Sequence, residues 1–491
     1  MLRALNINNK YIVDSDLIKK ISNFLYSDYY FLTIISFVVL MWGLGLIAPN
    51  PCLVIGISVI LIAITFILII QRDILPIIPL IFMVMCTITT TKMPSYIWID
   101  GVLGGFIALA VIFHVVYYGL EEFKFGKMFF PMFLFLIASL LGGVGSKLPQ
   151  SVRGNLLGTL LLALAPIFIY LMAVNYIDRE KEVAKYIAKS AVAFGVCLVL
   201  ELGMYYLFKP ESLYNVYGVP HLGFGISNTI ATYFLITIPM CFYMYVKEDS
   251  RIKGYIYLLF GIAQFVSIFL TTSRGGALFG TLEFVIMSIV TIVVVDKKKR
   301  IEYFIFAGVM LVLAGAMFGL LFDRIKAFLK MMFSDGMNDS GRFELYREAI
   351  ACFFERPIFG VGLGYQGKMT KLINTVGVYM FHNTILQYVA CLGLVGLCAY
   401  AYLYFARLEI LFETTNKYSL FMLMMFIGFE GYSLLNTGTV DGFPDGLIVM
   451  LLYAAQEIDT KQNESKIYSV LLNKLKRNGS KLDKKQVAFG G

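Results

Sequence analysis

The chain has 491 residues, of which 59% are hydrophobic and only 15% charged, with a mean hydropathy of +0.77. A soluble domain is roughly half apolar and a quarter charged, so the composition excludes a water-soluble globular protein and predicts an all-α polytopic membrane protein. The net charge of +9 calls for no nucleic acid, because lysine and arginine concentrate in the cytoplasmic loops of such proteins.

Residues 1–29 are too polar for a secretory signal and are expected to stay cytoplasmic. Within them Leu17, Ile18, Ile21, Phe24 and Leu25 fall at helical spacing beside Lys19 and Lys20, the pattern of a short amphipathic helix at the membrane surface. Apolar runs of membrane-crossing length then recur at about 30–47, 52–70, 74–91, 99–119, 128–144, 156–176, 187–208, 226–246, 254–272, 276–295, 301–322, 382–406, 418–436 and 444–457. They predict about 12–14 transmembrane helices within one domain over 30–457, followed by a basic cytoplasmic tail over 458–491. The ten-residue alternation of a membrane β-barrel is absent. Most of the seven cysteines lie inside these runs and no Cys-x-x-Cys occurs, so neither a disulfide framework nor a zinc site is expected.

Charge sets the expected topology. Arg72, Lys124, Lys127, Arg179, Lys181, Lys185, Lys247, Arg251, Lys253, the run Lys297–Arg300, Arg407 and Lys417 fall in one set of loops. The other set holds only Lys92, Lys147, Arg153, Lys209 and Arg274. This bias predicts that both termini are cytoplasmic. The connection over 323–381 is the exception to short loops, and by this topology it is extracytoplasmic. Long loops in compact domains usually carry function. Within it Phe343, Tyr346, Ile350 and Phe353 recur at helical spacing, with Asp339 and Ser340 as caps and Pro357 as the stop, which predicts an amphipathic helix. The Gly360-Val-Gly-Leu-Gly364 segment reads as turn geometry or close packing.

Three places offer chemistry. Arg274, in Thr271-Thr-Ser-Arg-Gly-Gly276, sits at the end of an apolar run, where a guanidinium either serves a function or snorkels to the interface. Arg342 opens the loop helix beside free backbone amides, a good position for an oxyanion. Arg347, five residues on, points about 140° away from it and has Glu344 and Glu348 as neighbours to pair with. Of three histidines, His114 reads as a buried core residue and His221 as a solvated loop residue. His382 differs: with Asn383 it opens a helix directly after the long loop, where the helix dipole favours a neutral ring able to take a proton. Glu201, Glu283 and Glu430 are costly at membrane depth and are available as partners for the arginines. No cluster has metal-ligand spacing.

The ordered set Thr-Thr-Ser-Arg-Gly-Gly, Gly341-Arg-Phe-Glu-Leu-Tyr-Arg-Glu-Ala, Arg356-Pro-Ile-Phe-Gly-Val-Gly-Leu-Gly364 and His382-Asn-Thr-Ile-Leu-Gln resembles the O-antigen ligase and O-antigen polymerase superfamily of bacterial membrane glycosyltransferases. The resemblance covers about residues 265–400. It implies a GT-C-like, metal-independent, inverting transferase with no cofactor, in the bacterial cytoplasmic membrane. Such an enzyme moves a glycan from an undecaprenyl-diphosphate carrier to an acceptor hydroxyl on the outer face. Carried over, Arg274 and Arg342 would hold the donor diphosphate and His382 would act as the catalytic base; Arg347 and Asn383, in the same motifs, complete the expected substrate-binding set. The implied partners are the lipid-linked donor, a glycan or lipid-linked acceptor, membrane lipids and a chain-length regulator.

A polysaccharide polymerase is the leading expectation, with a ligase that attaches finished glycan to a lipid A core as the alternative. A lipid-linked oligosaccharide flippase or other transporter is the alternative from another class, but no internal repeat of the kind carriers show is present. An essential Asp335 or Asp339 in place of His382 would point instead to a peptidoglycan polymerase.

Overall fold

The computed structural model describes residues 10–13, 15–84, 86–87, 97–120, 122–209, 227–320, 326, 341–368, 373, 377–436 and 445–459. The expected caps Asp339 and Ser340, the loop residues Asp335 and His221, and the basic tail lie outside them. The described secondary structure is helical, with no sheet and only isolated β-bridges. A surface helix α1 (Asp16–Leu25) is capped by the Ser15 side chain, which accepts from the Ile18 amide at 3.3 Å. It leads into α2 (Asp28–Gly45), α3 (Pro49–Ile70), α4 (Ile77–Val84), α5 (Ile97–Tyr118), α6 (Phe129–Leu141) and α7 (Val152–Tyr176), the last with a π turn at Leu160–Leu164. Then follow α8 (Val183–Phe208), α9 (Ser227–Lys247), α10 (Arg251–Leu270), α11 (Arg274–Val294), α12 (Lys297–Leu320), α13 (Arg342–Glu355), α14 (Thr384–Glu413), α15 (Lys417–Ser433) and α16 (Asp445–Asp459).

Every apolar run read from the sequence contains a helix among its described residues. Among the described residues nine are long and apolar enough to cross a membrane: α2, α3, α5, α7, α8, α9, α10, α11 and α14. The chain is thus an all-α polytopic membrane protein. Four of the others differ for an identifiable reason. The described parts of α4, α6, α15 and α16 have 8, 13, 17 and 15 residues, short of the ~20 that a straight crossing takes.

Helix α9 is the centre of the bundle: 94% of its span is buried, against 17% for α5. It packs on α8, α10, α11 and α15, whereas α5 leans on α3 and turns Val102, Phe106, Leu109 and Ile112 outward, as a lipid-facing helix does. This bundle holds the larger apolar core, which includes Tyr432 of α15. A second, separate core gathers Leu345, Ala349 and Cys352 of α13, Val361, Leu363 and Phe381 of the long loop, and Phe135, Leu162, Tyr388 and Leu392 of α6, α7 and α14. The face that α13 buries is therefore Leu345, Ala349 and Cys352. Phe343 and Ile350, two of the residues at helical spacing in the sequence, are exposed.

The loop is built into the bundle through a break in α14. At Gly393 the backbone turns to φ 65° and ψ −155°, and the carbonyls of Ala390 and Cys391 are released from the helix. They accept the Val361 and Gly362 amides at 2.9 and 2.8 Å, while the Leu394 and Val395 amides donate to Pro357 and Ile358 at 2.8 and 3.1 Å. Irregular backbone among membrane helices persists where protein satisfies its polar groups. Gly360 fits only without a side chain, since a Cβ there would come 2.3 Å from the Cys391 carbonyl carbon. The glycine-rich segment is thus a packing element. Its other edge pairs with the chain before α7: the Ser151 amide donates to Gly364 at 2.7 Å, and the Gly364 amide to Asn155 Oδ1 at 2.6 Å.

One charged residue sits differently from expectation. Helix α14 continues to Glu413, which puts Arg407 inside it, fully buried and bonded to Glu430 Oε1 at 2.7 Å, so Arg407 is no loop residue. Glu430 also accepts from the Tyr400 hydroxyl at 2.8 Å. Glu201 and Glu283 are buried with both carboxyl oxygens unbonded. None of the three glutamates forms an ion pair with Arg274, Arg342 or Arg347. His114 is buried, with Nδ1 2.8 Å from the Leu68 carbonyl.

Candidate functional site

Three stretches far apart in sequence meet at one end of the bundle, where the two cores adjoin. The first is the turn between α10 and α11. Thr271 caps α10 through its hydroxyl bond to the Ile268 carbonyl at 2.6 Å. Thr272 follows at φ 61°, a left-handed conformation that a β-branched residue rarely takes. Ser273 then caps α11 by accepting the Gly276 amide at 3.2 Å, and Arg274 is the first residue of that helix, with its side chain exposed. The two glycines after it let α11 approach its neighbours: a Cβ on Gly275 would come 2.8 Å from the Tyr432 ring, and one on Gly276 2.6 Å from Ala231 Cβ.

The turn is tied to α9 and α15. The Ser273 hydroxyl donates to Asn228 Oδ1 at 2.9 Å, and the Tyr432 hydroxyl lies 2.8 Å from Ser273 Oγ and 3.2 Å from Asn228 Oδ1.

The second stretch is 377–383. Its end is held by buried Phe381, whose amide donates to Gln387 Oε1 at 2.9 Å, while Gln387 Nε2 donates back to the Tyr379 carbonyl at 2.8 Å. His382 comes next, at φ 54°. Among the described residues Thr272 and His382 are the two non-glycine positions with positive φ, a strain of about 1–3 kcal/mol each that tends to gather at functional sites. His382 Nδ1 lies 3.2 Å from Asn436 Oδ1, just beyond α15. Asn383 caps α14, with Oδ1 accepting the Leu386 amide at 3.0 Å and Nδ2 donating to the Leu434 carbonyl at 2.9 Å. Both ends of its amide are engaged within the protein, which makes it a seat for the start of α14.

The third stretch is α13. It begins after Gly341 at φ 78°, with no side-chain cap. Arg342, its first residue, is half-buried, and its charge acts on both the His382 ring and the Tyr432 hydroxyl. Tyr346, one turn on, donates to the His382 carbonyl at 3.4 Å. Arg347 is exposed. The Glu348 carboxylate takes the Tyr365 and Tyr379 hydroxyls at 2.7 and 3.0 Å and the Lys368 amide at 3.1 Å, so it braces the long loop.

Burial pushes the His382 ring below the ordinary histidine range; the Asn436 hydrogen bond opposes the shift and the Arg342 charge adds to it. A neutral imidazole beside an arginine suits proton abstraction next to a bound anion. Among the described residues Arg274 and Arg342 form no ion pair with a carboxylate, and no three His, Cys, Asp or Glu side chains come together as a metal site. Two clefts open at the other end of the bundle. One of about 390 Å³ lies between Lys10, Arg72, Asp73 and Asp178, and one of about 650 Å³ is ringed by Lys185, Lys247, Lys299 and Lys417 with Glu182 and Asp296 among them.

Asn228, Tyr432 and Asn436 escape a reading of the sequence. The one signal is that Tyr432 and Asn436, four residues apart, are polar residues closing an otherwise apolar run.

A helical membrane protein that sets a half-buried arginine and a strained histidine together at one end of its bundle has the means to bind an anion and move a proton beside it. Residues 257–401 match the family described as O-antigen ligase, a span that contains Arg274, Arg342 and His382. The match supports the O-antigen ligase and polymerase superfamily, and with it glycan transfer of the ligase or polymerase type in a multi-pass membrane protein. A comparison with curated proteins gave no match.

Proposed function

We propose that the chain is a polysaccharide polymerase. It transfers a glycan from an undecaprenyl-diphosphate carrier to an acceptor sugar hydroxyl on the outer face of the cytoplasmic membrane, with both termini inside. The observation that carries this reading is the meeting of the Ser273–Arg274 turn, Arg342 and His382 around the end of α15. That end of the bundle is the outer one if the lysine-rich ends of α8, α10, α12 and α15 are cytoplasmic.

In this reading the guanidinium groups of Arg274 and Arg342 hold the donor diphosphate and offset the charge that grows on it as the anomeric C–O bond breaks. His382 Nε2 takes the proton of the acceptor hydroxyl while its oxygen forms the new bond to the anomeric carbon. A single in-line displacement inverts that carbon. No residue is assigned to a metal or cofactor. Arg347 is exposed one and a half turns from Arg342, and it enters only as a contact for the more distant part of a substrate. Asn383 acts through the cap.

The test is glycan transfer by purified protein in lipid discs, given undecaprenyl-diphosphate oligosaccharide extracted from the producing cells and followed by product length. Wild-type protein lengthens the glycan, and His382→Ala lowers the rate by about 10²- to 10⁴-fold with an unchanged unfolding temperature. Wild-type turnover by that variant overturns the assignment of the base. Translocation without transfer by wild-type protein overturns the enzyme reading.

A further inference from the structure

We infer that Asn436 is the positioning residue of His382: its side-chain oxygen fixes the ring with the proton on Nδ1, which leaves the Nε2 lone pair free for the acceptor hydroxyl. The inference rests on the proposed transfer and names a residue outside the family match, which ends at 401.

Three observations carry it. First, His382 Nδ1 meets Asn436 Oδ1 at 3.2 Å, and a general base oriented by a third group through its far nitrogen is a recurring arrangement for nucleophile activation. A carbonyl oxygen can only accept, so the ring nitrogen facing it carries the hydrogen.

Second, Asn436 is itself fixed. Its amide donates to the Tyr432 carbonyl at 3.0 Å and the Leu435 amide to the same carbonyl at 2.9 Å, so the turn that ends α15 holds a defined shape. Asn383 Nδ2 clamps that turn from the other side through the Leu434 carbonyl.

Third, the same helix end holds the arginine turn, through Tyr432 and Ser273. Residues 432–436 thus span the seam between the two cores and set the base relative to the α10–α11 turn. Loss of the Asn436 contact frees a ring that sits in a strained backbone conformation.

The groups that face the ring limit what else could orient it. Arg342 of α13 supplies a like charge, Tyr346 of α13 bonds the His382 carbonyl and leaves the ring alone, and Tyr432 of α15 is engaged with Ser273 and Asn228. Asp445 at the head of α16 acts on Tyr432.

The test compares three variants in the transfer assay across pH 5–9. Asn436→Leu keeps the size and removes the acceptor; it lowers kcat by roughly 10- to 100-fold with little change in KM. Asn436→Asp keeps an acceptor at the same place and adds a negative charge. It recovers most of the rate at high pH and moves the acid limb of the kcat/KM profile upward by about one pH unit, because a carboxylate favours the protonated ring. An effect on folding alone would lower both variants together and leave the profile in place.

Full activity in Asn436→Leu, or an inactive but folded Asn436→Asp, overturns the inference. Both results leave the transfer reading intact as long as His382→Ala is inactive and wild type transfers. If His382→Ala is as active as wild type, the reading beneath it fails first.

Discussion

The two ends of the helix bundle treat charge in opposite ways. At the end away from the site, cations face carboxylates. Asp28 takes both Lys189 and Lys253, Glu182 takes Lys185 and Lys247, Arg251 pairs with Glu302 at 2.7 Å, and Lys127 pairs with Glu413. At the site end Arg274 and Arg342 have no such partner among the described residues, and neutral groups, Ser273, Asn228, Tyr432, Asn383 and Asn436, set the geometry. A guanidinium already neutralised by a carboxylate binds an incoming phosphate weakly, because the phosphate must displace the first anion. One with no carboxylate partner keeps its charge for a ligand.

The sharpest way to break this contrast is to remove charge at the site. Arg342→Ala is expected to lower kcat by about 10²- to 10³-fold, the usual loss when one charge-stabilising donor is deleted. Arg342→Lys restores only part of the rate, since an ammonium lacks the planar fork that grips a diphosphate. Equal rates for Arg342→Ala and wild type would mean that the site-end charge is idle. Arg274→Ala is expected to behave alike.

Between the two ends, at membrane depth, Arg407 and Glu430 form a third kind of pair. Arg407 is fully buried, stacks over the Tyr404 and Phe426 rings at 5.6 and 5.3 Å, and leaves Nη2 unbonded. Glu430→Leu strands a cation there, at a cost of about 3–5 kcal/mol, read as a fall in the unfolding temperature of the solubilised protein. The double replacement Arg407→Leu/Glu430→Leu is expected to recover most of that loss. If the single variant is as stable as wild type, the pair contributes nothing to the fold.

These comparisons also show where the sequence carries the structure and where it does not. Hydrophobic run length is enough to find each helix, because crossing a bilayer imposes the same requirement on every segment. Short motifs single out Arg274, Arg342 and His382 as candidates, but no motif shows that the segments carrying them come together around the end of α15. The break in α14 was not readable, because a glycine inside an apolar run reads as helix until the Pro357–Gly364 segment supplies its freed carbonyls with donors. Arg407 reads as a loop cation because charge bias is a statistic of loops, and its partner Glu430 is 23 residues away on another helix. Asn436 was invisible for a similar reason: one amide in a chain edge has no pattern, and its meaning comes only from lying 3.2 Å from His382.

A smaller effect tests how tightly the arginine turn must be held. Gly275→Ala pushes a methyl group against the Tyr432 ring, 2.8 Å from the nearest ring carbon. Overpacking of this kind costs about 1–3 kcal/mol. Because the ring carries the hydroxyl that meets Ser273, activity should fall more than stability does. A variant that loses stability and keeps its full transfer rate would separate α11 packing from the site.

The smallest effect is expected at the opposite end, and it is the control on which the contrast depends. Asp28→Asn removes the shared partner of Lys189 and Lys253. The Asp28 and Lys253 side chains are about half exposed, so water already screens much of the attraction, and such pairs are worth about 0–1 kcal/mol. The ring of Phe31 under the Lys189 ammonium, 4.3 Å from its centroid, retains that lysine when the carboxylate is gone. Unfolding temperature should therefore shift by only a degree or two, and the transfer rate should stay within twofold of wild type. A tenfold loss of transfer in Asp28→Asn, with the protein still folded, would mean that charge at the far end reaches His382 through the bundle, and the two ends could no longer be treated as separate electrostatic regions.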